Sequence, residues 1–337
     1  MRNNRILWVL LLPFVALFAS CEVEFSPNAD WKEVPAVYCV LDQDTSATYV
    51  RVEKCFLSED AFSQYTTVMD STQYPVGSLD VEIRVWKDAN AMQNGTPLAV
   101  MTFYDTVVEK ESGEFASAEG QHVFKHRNRG SEFNPAYLYE LVVKRVATGD
   151  VIARATTNLV GGTEVSPWLE SPRPNTYNAS FGFTYNKKCV IQWHEFERGR
   201  LYQPIVTFCY LNRYGARTRK EIDIRCSATK GNSVELQQGT FLLDIKNALA
   251  GDTCKKTFYD TVRISLKVCN EDLSAYMSST QASGSLAQGQ QIYSNIEGGV
   301  GVFGARRSGL VVWVGSDKSD IAPSGLHYLL RELNVGF

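Results

Sequence analysis

An alternation of apolar and polar residues with a period of two recurs along most of this chain and restricts its fold more than any other feature. Leu79, Val81, Ile83 and Val85 alternate with Asp80, Glu82, Arg84 and Trp86. Val262, Ile264, Leu266 and Val268 alternate with Arg263, Ser265 and Lys267, and Val50 and Val52 with Arg51 and Glu53. Successive side chains of an extended chain point to opposite faces, so such runs bury one face and wet the other, as strands of antiparallel sheets do. Turn-forming stretches separate them: DQDTS at 42–46, NAMQNGTP at 90–97, ATGD at 147–150 and NRYGA at 212–216. Helical periodicity is scarce. Its best instances are Phe241 to Leu249, with Thr240 placed to cap it, and a C-terminal stretch in which Leu326, Leu329, Leu330 and Leu333 share a face. The expected architecture is all-β, two sandwiches with one or two short helices appended.

The first twenty residues follow a different pattern. Arg2 and Arg5 precede an apolar run from Ile6 to Ala19, interrupted only by Pro13. A bilayer-spanning helix needs about 20 apolar residues, and a shorter run behind basic residues has the form of a secretory signal. Ala19 and Ser20, both slim, stand directly before Cys21, and Leu17 lies four residues upstream of it. This arrangement resembles the bacterial lipobox, with Phe18 where Leu is usual. The resemblance implies that the Cys21 thiol is diacylated, that residues 1–20 are removed and that Cys21 becomes the mature N-terminus; the alternative is an ordinary signal followed by a disulfide cysteine. One acyl chain holds a protein only marginally, whereas two or three hold it stably. Glu22 and Glu24 resemble the surface-sorting signal of Bacteroidota lipoproteins, or else belong to a plain tether over 21–30.

Removal of Arg2 and Arg5 takes the formal charge from −3 to −5. With no basic block to follow a phosphate backbone, nucleic acid is not an expected partner. Aromatic residues make up 12% and charged residues 21% of the chain, the balance of a folded body rather than a disordered one. Residues 161–176, with glycines, prolines and no alternation, read as a linker between a first sandwich over 31–160 and a second β-rich domain over 177–337. Trp168 inside it is expected to pack between the two, with an exposed sugar-binding platform as the alternative. Beyond Cys21 the cysteines are Cys39, Cys55, Cys189, Cys209, Cys226, Cys254 and Cys269. Their odd number and scattered spacing match neither a zinc site nor a complete disulfide framework, and they are expected to be mostly free, buried thiols.

Several short motifs dissolve on inspection. Gly299, Gly301 and Gly304 spell GxGxxG, but that pattern cradles a pyrophosphate only where a strand feeds a helix, and here a strand-like LVVWV follows. The glycines read as a tight, bulged loop, and no nucleotide is expected. His194-Glu195 has Arg198 where a zinc-protease helix places its second histidine. His122 and His126 would lie about 13 Å apart on one face of a strand, too far to share an ion, and read as solvated surface histidines. No GxSxG elbow or neighbouring Cys–His pair occurs, so neither catalytic residue, metal site nor cofactor is assigned.

The stretches VYCVLDQDTSATYVRVEKCFLSEDAF (37–62), MDSTQYPVGSLDVEIRVW (69–86) and IYSNIEGGVGVFGA (292–305) are similar to a family of Bacteroidota outer-membrane lipoproteins of unknown function. Asn295, Ile296, Gly298, Gly299, Gly301, Phe303, Gly304 and Ala305 match its closing signature. The resemblance implies an N-terminal immunoglobulin-like sandwich, a second β-rich domain and frequent pairing with a TonB-dependent receptor. It implies no biochemical activity, so no catalytic residue carries over. Asp70-Ser71-Thr72, Asp105-Thr106-Val107 and Asp260-Thr261-Val262 also resemble the short pattern at which Bacteroidota attach O-glycans, which makes Ser71, Thr106 and Thr261 candidate acceptors. The expected function is that of a surface-exposed, lipid-anchored accessory protein that binds or stabilises a TonB-dependent transporter. The alternative is a fimbrillin-like structural subunit, against which the helix-like C-terminus counts.

Overall fold

The computed structural model describes residues 33–55, 73–109, 120–130, 132–162, 167–169, 181–183, 187–212, 218–252, 256–283 and 293–315, together with 326, 330, 331, 333, 335 and 336. The chain is mostly β, with several antiparallel sheets and three short helices among the described residues. The first core lies between a four-stranded sheet, ordered β4 (Ala99–Thr102), β3 (Leu79–Trp86), β7 (Leu138–Arg145), β8 (Val151–Asn158), and one end of a much larger sheet. That end is built from β1 (Val34–Asp42), β2 (Ala47–Cys55), β6 (Gln121–Arg127) and β5 (Tyr104–Val108). Val37, Leu41 and Val50 from the large sheet meet Ile83, Leu141 and Val143 from the small one, all fully or almost fully buried.

The other end of the large sheet continues through β15 (Val300–Gly315), β14 (Lys256–Cys269), β11 (Leu201–Asn212) and β12 (Thr218–Arg225). Its inner face carries Val206, Phe208, Ile264 and Leu266 into a second core. A three-stranded sheet of β13 (Ser233–Gln237), β10 (Lys188–Gln192) and β9 (Trp168–Leu169) contributes Leu236, Ile191 and Leu169 to the same core. Phe241 and Ile245 enter it from a helix, and Leu326 and Leu330 from the C-terminal stretch. A last short strand, β16 (Val335–Gly336), pairs parallel with the start of β14.

The two cores share a strand. β15 sends Phe303 and Ala305 into the first core and Leu310 into the second. It reaches the first by pairing in parallel with β1, from Ala36 opposite Val300 to Asp42 opposite Arg306. A parallel pair cannot be closed by a hairpin, so this ladder joins distant parts of the chain. The glycine motif, read from sequence as a loop, is the beginning of this strand: at Gly301 φ is +119°, and a Cβ there would stand 2.0 Å from the Val37 carbonyl oxygen. The reading that backbone must approach backbone holds, but the approach is between two paired strands.

Among the described residues three helices have defined bounds, and Leu326, Leu330 and Arg331 of the expected C-terminal helix are also helical. α1 (Ala89–Asn94) falls in a stretch read as a turn, and is started by Asp88, whose Oδ1 accepts from the Ala91 amide at 2.9 Å. α2 (Gln238–Ala248) begins before Thr240, which therefore lies inside the helix and not at its cap. α3 (Glu271–Ser283) was not expected, because Leu273 is its only fully buried apolar side chain among the described ones and gives no periodic stripe. It lies against β15 where Gly304 leaves room: a Cβ at Gly304 would come within 2.8 Å of Leu273 Cβ.

The outer face of the four-stranded sheet carries a charge lattice rather than a wet surface. Trp86, assigned by alternation to the solvent side, is buried, and its Nε1 donates to Glu140 Oε2 at 2.9 Å. Arg154 Nε stands 3.1 Å from the other Glu140 oxygen. Lys144 and Arg84 both donate to Glu82 Oε1. Burial pushes the Glu82 carboxyl up, but the hydrogen bonds from Lys144 and Arg84 outweigh it and leave the group below its ordinary value of 4.5.

In urea unfolding of the full chain, Gly301→Ala should cost about 3 kcal/mol or more, since it adds backbone strain to a clash with Val37. Gly239→Ala, in open space on α2, should stabilise by about 0.5–1 kcal/mol. Because the Glu82 carboxyl is depressed in the folded state, its contribution is fully present above 4.5 and is lost as pH falls through the lower folded value. Glu82→Gln should therefore flatten the acid limb of a stability-against-pH curve; an unchanged limb would remove Glu82 from the account.

Candidate ligand-binding cleft

One side chain ties β8, β15 and α3 together. Asn270, buried between the end of β14 and the start of α3, donates its main-chain N–H to the Ala305 carbonyl at 2.9 Å. Its Oδ1 accepts from the Leu273 amide and from the Ala305 amide, each at 3.1 Å. Its Nδ2 donates to Thr157 Oγ1 at 2.8 Å and to the Asn158 carbonyl at 2.9 Å. The bond to Leu273 is a helix N-cap, a role asparagine suits, and Glu271 and Asp272 in the first turn complement the helix dipole. Asp272 extends the network: one carboxylate oxygen accepts from Thr157 Oγ1 at 2.8 Å, the other from the Tyr293 hydroxyl at 2.8 Å. Asn295 repeats the device beside it, accepting from the Phe303 amide at 2.9 Å and donating to the Phe303 carbonyl at 2.8 Å. A side-chain amide there occupies the hydrogen bonds that a neighbouring strand would make.

A cleft of about 410 Å³ adjoins this network, lined by Thr157, Asn270, Asp272 and Tyr293 together with Arg198 and Arg200. Arg198 has φ +62°, a left-handed conformation uncommon outside glycine and costly unless its surroundings hold it. Here it is held: Gly199 N–H donates to the Phe196 carbonyl at 2.9 Å, Gly161 N–H to the Glu197 carbonyl at 2.8 Å, and the Arg198 guanidinium donates to the Pro135 carbonyl of the first core's loop. Arg200 stands 3.9 Å from the exposed Glu271 carboxylate, a separation at which a surface pair contributes little. Burial and, next, the hydrogen bond to Asp272 push the Tyr293 phenol up to about 12, so at neutral pH it is a donor. Since Tyr293 and Thr157 donate to the Asp272 carboxylate, what the cleft presents for binding is chiefly the part-exposed guanidinium groups of Arg198 and Arg200.

The residues singled out from sequence lie elsewhere. Cys21, Glu22, Glu24 and Ser71 fall outside the described residues. Thr106, half-buried, sits on the edge strand β5 opposite Val123, and Thr261, half-buried, on the interior strand β14 opposite Gly315. His126 is not a solvated histidine: its Nδ1 is 2.8 Å from the Thr102 carbonyl and its Nε2 3.1 Å from Glu132. Trp168 belongs to β9, where its Nε1 donates to Gln192 at 3.0 Å and its ring lies 4.6 Å from that of His194. Its described partners thus lie on and beside the second core's small sheet. Among the described residues no three His, Cys, Asp or Glu side chains are placed to share a metal ion. Cys39, Cys189, Cys209 and Cys226 are buried free thiols, Cys269 is half-buried and Cys55 exposed. Burial pushes Cys189 up to about 12 and Cys226 to about 11, which keeps both protonated and inert. Arg198, Asn270 and Asp272 were missed, although Asn-Glu-Asp after a long alternating run is a legible helix start.

Residues 37–309 match the family described as "Domain of unknown function (DUF4249)". The chain belongs to that family. The match begins on β1 at Val37 and ends on β15 at Gly309, so its limits fall on the two strands whose parallel pairing unites the cores. A solved structure entitled "Cytokine receptor complex - Crystal form 1A" is 8% identical over 83% of this chain and 95% of its own, with a TM-score of 0.25, too slight a likeness to carry an argument. No curated protein matches the chain.

For this DUF4249 chain, Asn270→Ala should cost about 3 kcal/mol by urea unfolding, because it leaves the Leu273 and Ala305 amides without their acceptor. Tyr293→Phe, which removes only the outermost bond of the network, should cost about 1 kcal/mol. Equal losses in the two variants would show that the network is not centred on Asn270.

Proposed function

We propose that this protein is a lipid-anchored accessory protein on the outside of the outer membrane, which binds or stabilises a TonB-dependent transporter and makes or breaks no bonds itself. The anchoring rests on the lipobox-like approach to Cys21 and the sorting on Glu22 and Glu24. Binding rather than catalysis is supported chiefly by the state of the cleft: its one interior carboxylate, on Asp272, is engaged by Tyr293 and Thr157 and serves as a strut. A general base has to turn a carboxylate oxygen toward its substrate, and bonds to both oxygens hold this carboxylate in place as part of the junction. The fimbrillin-like alternative gains no support from the C-terminus, since β16 already pairs with β14 of its own chain.

The test is affinity purification of the tagged protein from outer membranes, beside a Cys21→Ser variant. A β-barrel transporter should co-purify with the native chain, and the variant should leave the membrane fraction. A ladder of self-polymers in place of the barrel would favour the structural-subunit reading, and a membrane-bound Cys21→Ser protein would overturn the anchoring.

A further inference from the structure

The outward face of the large sheet, on the side away from the first core, carries a row of aromatic and cationic side chains that neither the cleft nor the anchor uses. Lys125 on β6 is paired with Tyr49 on β2 and, on its other side, with Tyr104 on β5. Their neighbours Val50 and Phe124 point into the core, so these three point out. Tyr49 is 42% and Tyr104 51% exposed, a large fraction for aromatic rings. Lys125 Nζ lies 5.4 Å from the Tyr49 ring centre. In the next row Arg51 is paired with Tyr38 and lies over its ring at 4.4 Å. Beside Tyr49, along β1 and the turn that joins it to β2, opens a hollow of about 510 Å³ lined by Tyr38, Tyr49, Arg51, Thr45, Asp42 and Arg306, though not by Lys125 or Tyr104.

Three features define what would fit. First, Tyr49 and Tyr104 are separated by one intervening strand and therefore by two strand spacings, about 10 Å, roughly the length of a disaccharide. Second, the face is cationic on an acidic chain: Arg51, Lys125, Arg127 and Arg306 stand against Asp42 and Glu53, and Arg306 is already matched to Asp42, Nε to Oδ2 at 2.7 Å. Third, Arg51 is only loosely paired, its Nε 3.8 Å from the Glu53 carboxylate, and its side chain is 39% exposed. Flat rings at that interval suit the C–H faces of pyranose rings. Lys125 between them and the loosely paired Arg51 beside them suit carboxylate or sulfate substituents. We infer that this face binds an acidic oligosaccharide, its sugar rings stacked on Tyr49 and Tyr104 and its anionic groups drawn to Lys125 and Arg51. The inference goes beyond the anchoring and partnership proposed above and is tested without them.

The experiment is calorimetric titration of the full chain in detergent with tetragalacturonate and, as a neutral probe of equal length, maltotetraose. Tetragalacturonate should bind more tightly than maltotetraose, and rising salt should weaken it. Tyr49→Ala and Tyr104→Ala, both exposed and so not expected to disturb folding, should each weaken it about tenfold. Lys125→Gln should erase the preference for the acidic probe. Equal binding of both probes without salt dependence would overturn the acidic assignment, and unchanged affinity in the two tyrosine variants, or no binding of either probe, would overturn the site. None of these outcomes bears on whether a transporter co-purifies.

Discussion

The parallel ladder between β1 and β15 makes one body of two cores. Its last pair, Asp42 and Arg306, lies 264 residues apart in sequence, and all the other ladders of the large sheet are antiparallel except the short docking of β16. Everything on either side depends on it: without β15 the first core loses Phe303 and Ala305, and without β1 the second core's sheet ends at β15. The turn between β1 and β2 fastens the same junction. Asp42 accepts from Arg306 and from the Ser308 hydroxyl, and Asp44 accepts from the Ser308 and Gly309 amides, both at 2.7 Å. Charge-assisted bonds to main-chain amides are among the stronger hydrogen bonds in proteins, and here they fix where β15 must pass. The entropy of closing so long a loop has to be overcome before these contacts reward it.

Burying an amide at the junction is costly unless every polar atom finds a partner, and Asn270 meets that condition from three elements at once. An apolar residue of similar size could fill the space but would leave the Leu273 and Ala305 amides without acceptors. The network therefore specifies how α3, β8 and β15 meet more than it adds to total stability. The cleft beside it inherits this rigidity, since Asp272 and Tyr293 cannot move without breaking bonds that hold the junction. Arg198, with its strained backbone bonded to the first core's Pro135, shows the same coupling from the other wall.

The cleft and the tyrosine-bearing face use the sheet differently. The cleft belongs to the junction, and its groups largely satisfy one another; the face belongs to β2, β6 and β5, and its exposed rings and Lys125 point outward. Sheets suit such surfaces because strand spacing sets the interval between platforms more rigidly than any loop could.

Alternation by itself determined that the chain folds as sheets, because a side-chain period of two is a local property: Val81, Ile83 and Val85 bury and Glu82 does not stay dry without ion pairs, whatever they pack against. The turns at 42–46 and 147–150 were legible for the same reason, and so was the glycine-rich run at 298–304 as a place of close backbone approach. Only the tertiary structure decided that these closing glycines form a strand, since the obstacle they avoid is the Val37 carbonyl far away in sequence. It also decided that Trp86 is buried, because Glu140 reaches it from β7, and that Asn270 is a hub, because its partners come from β8 and β15. Tyr49, Lys125 and Tyr104 read as ordinary wet positions of three separate strands until the pairing of β2, β6 and β5 placed them in one row. Periodicity records which face a residue takes, and it carries no information about which strand will lie beside it.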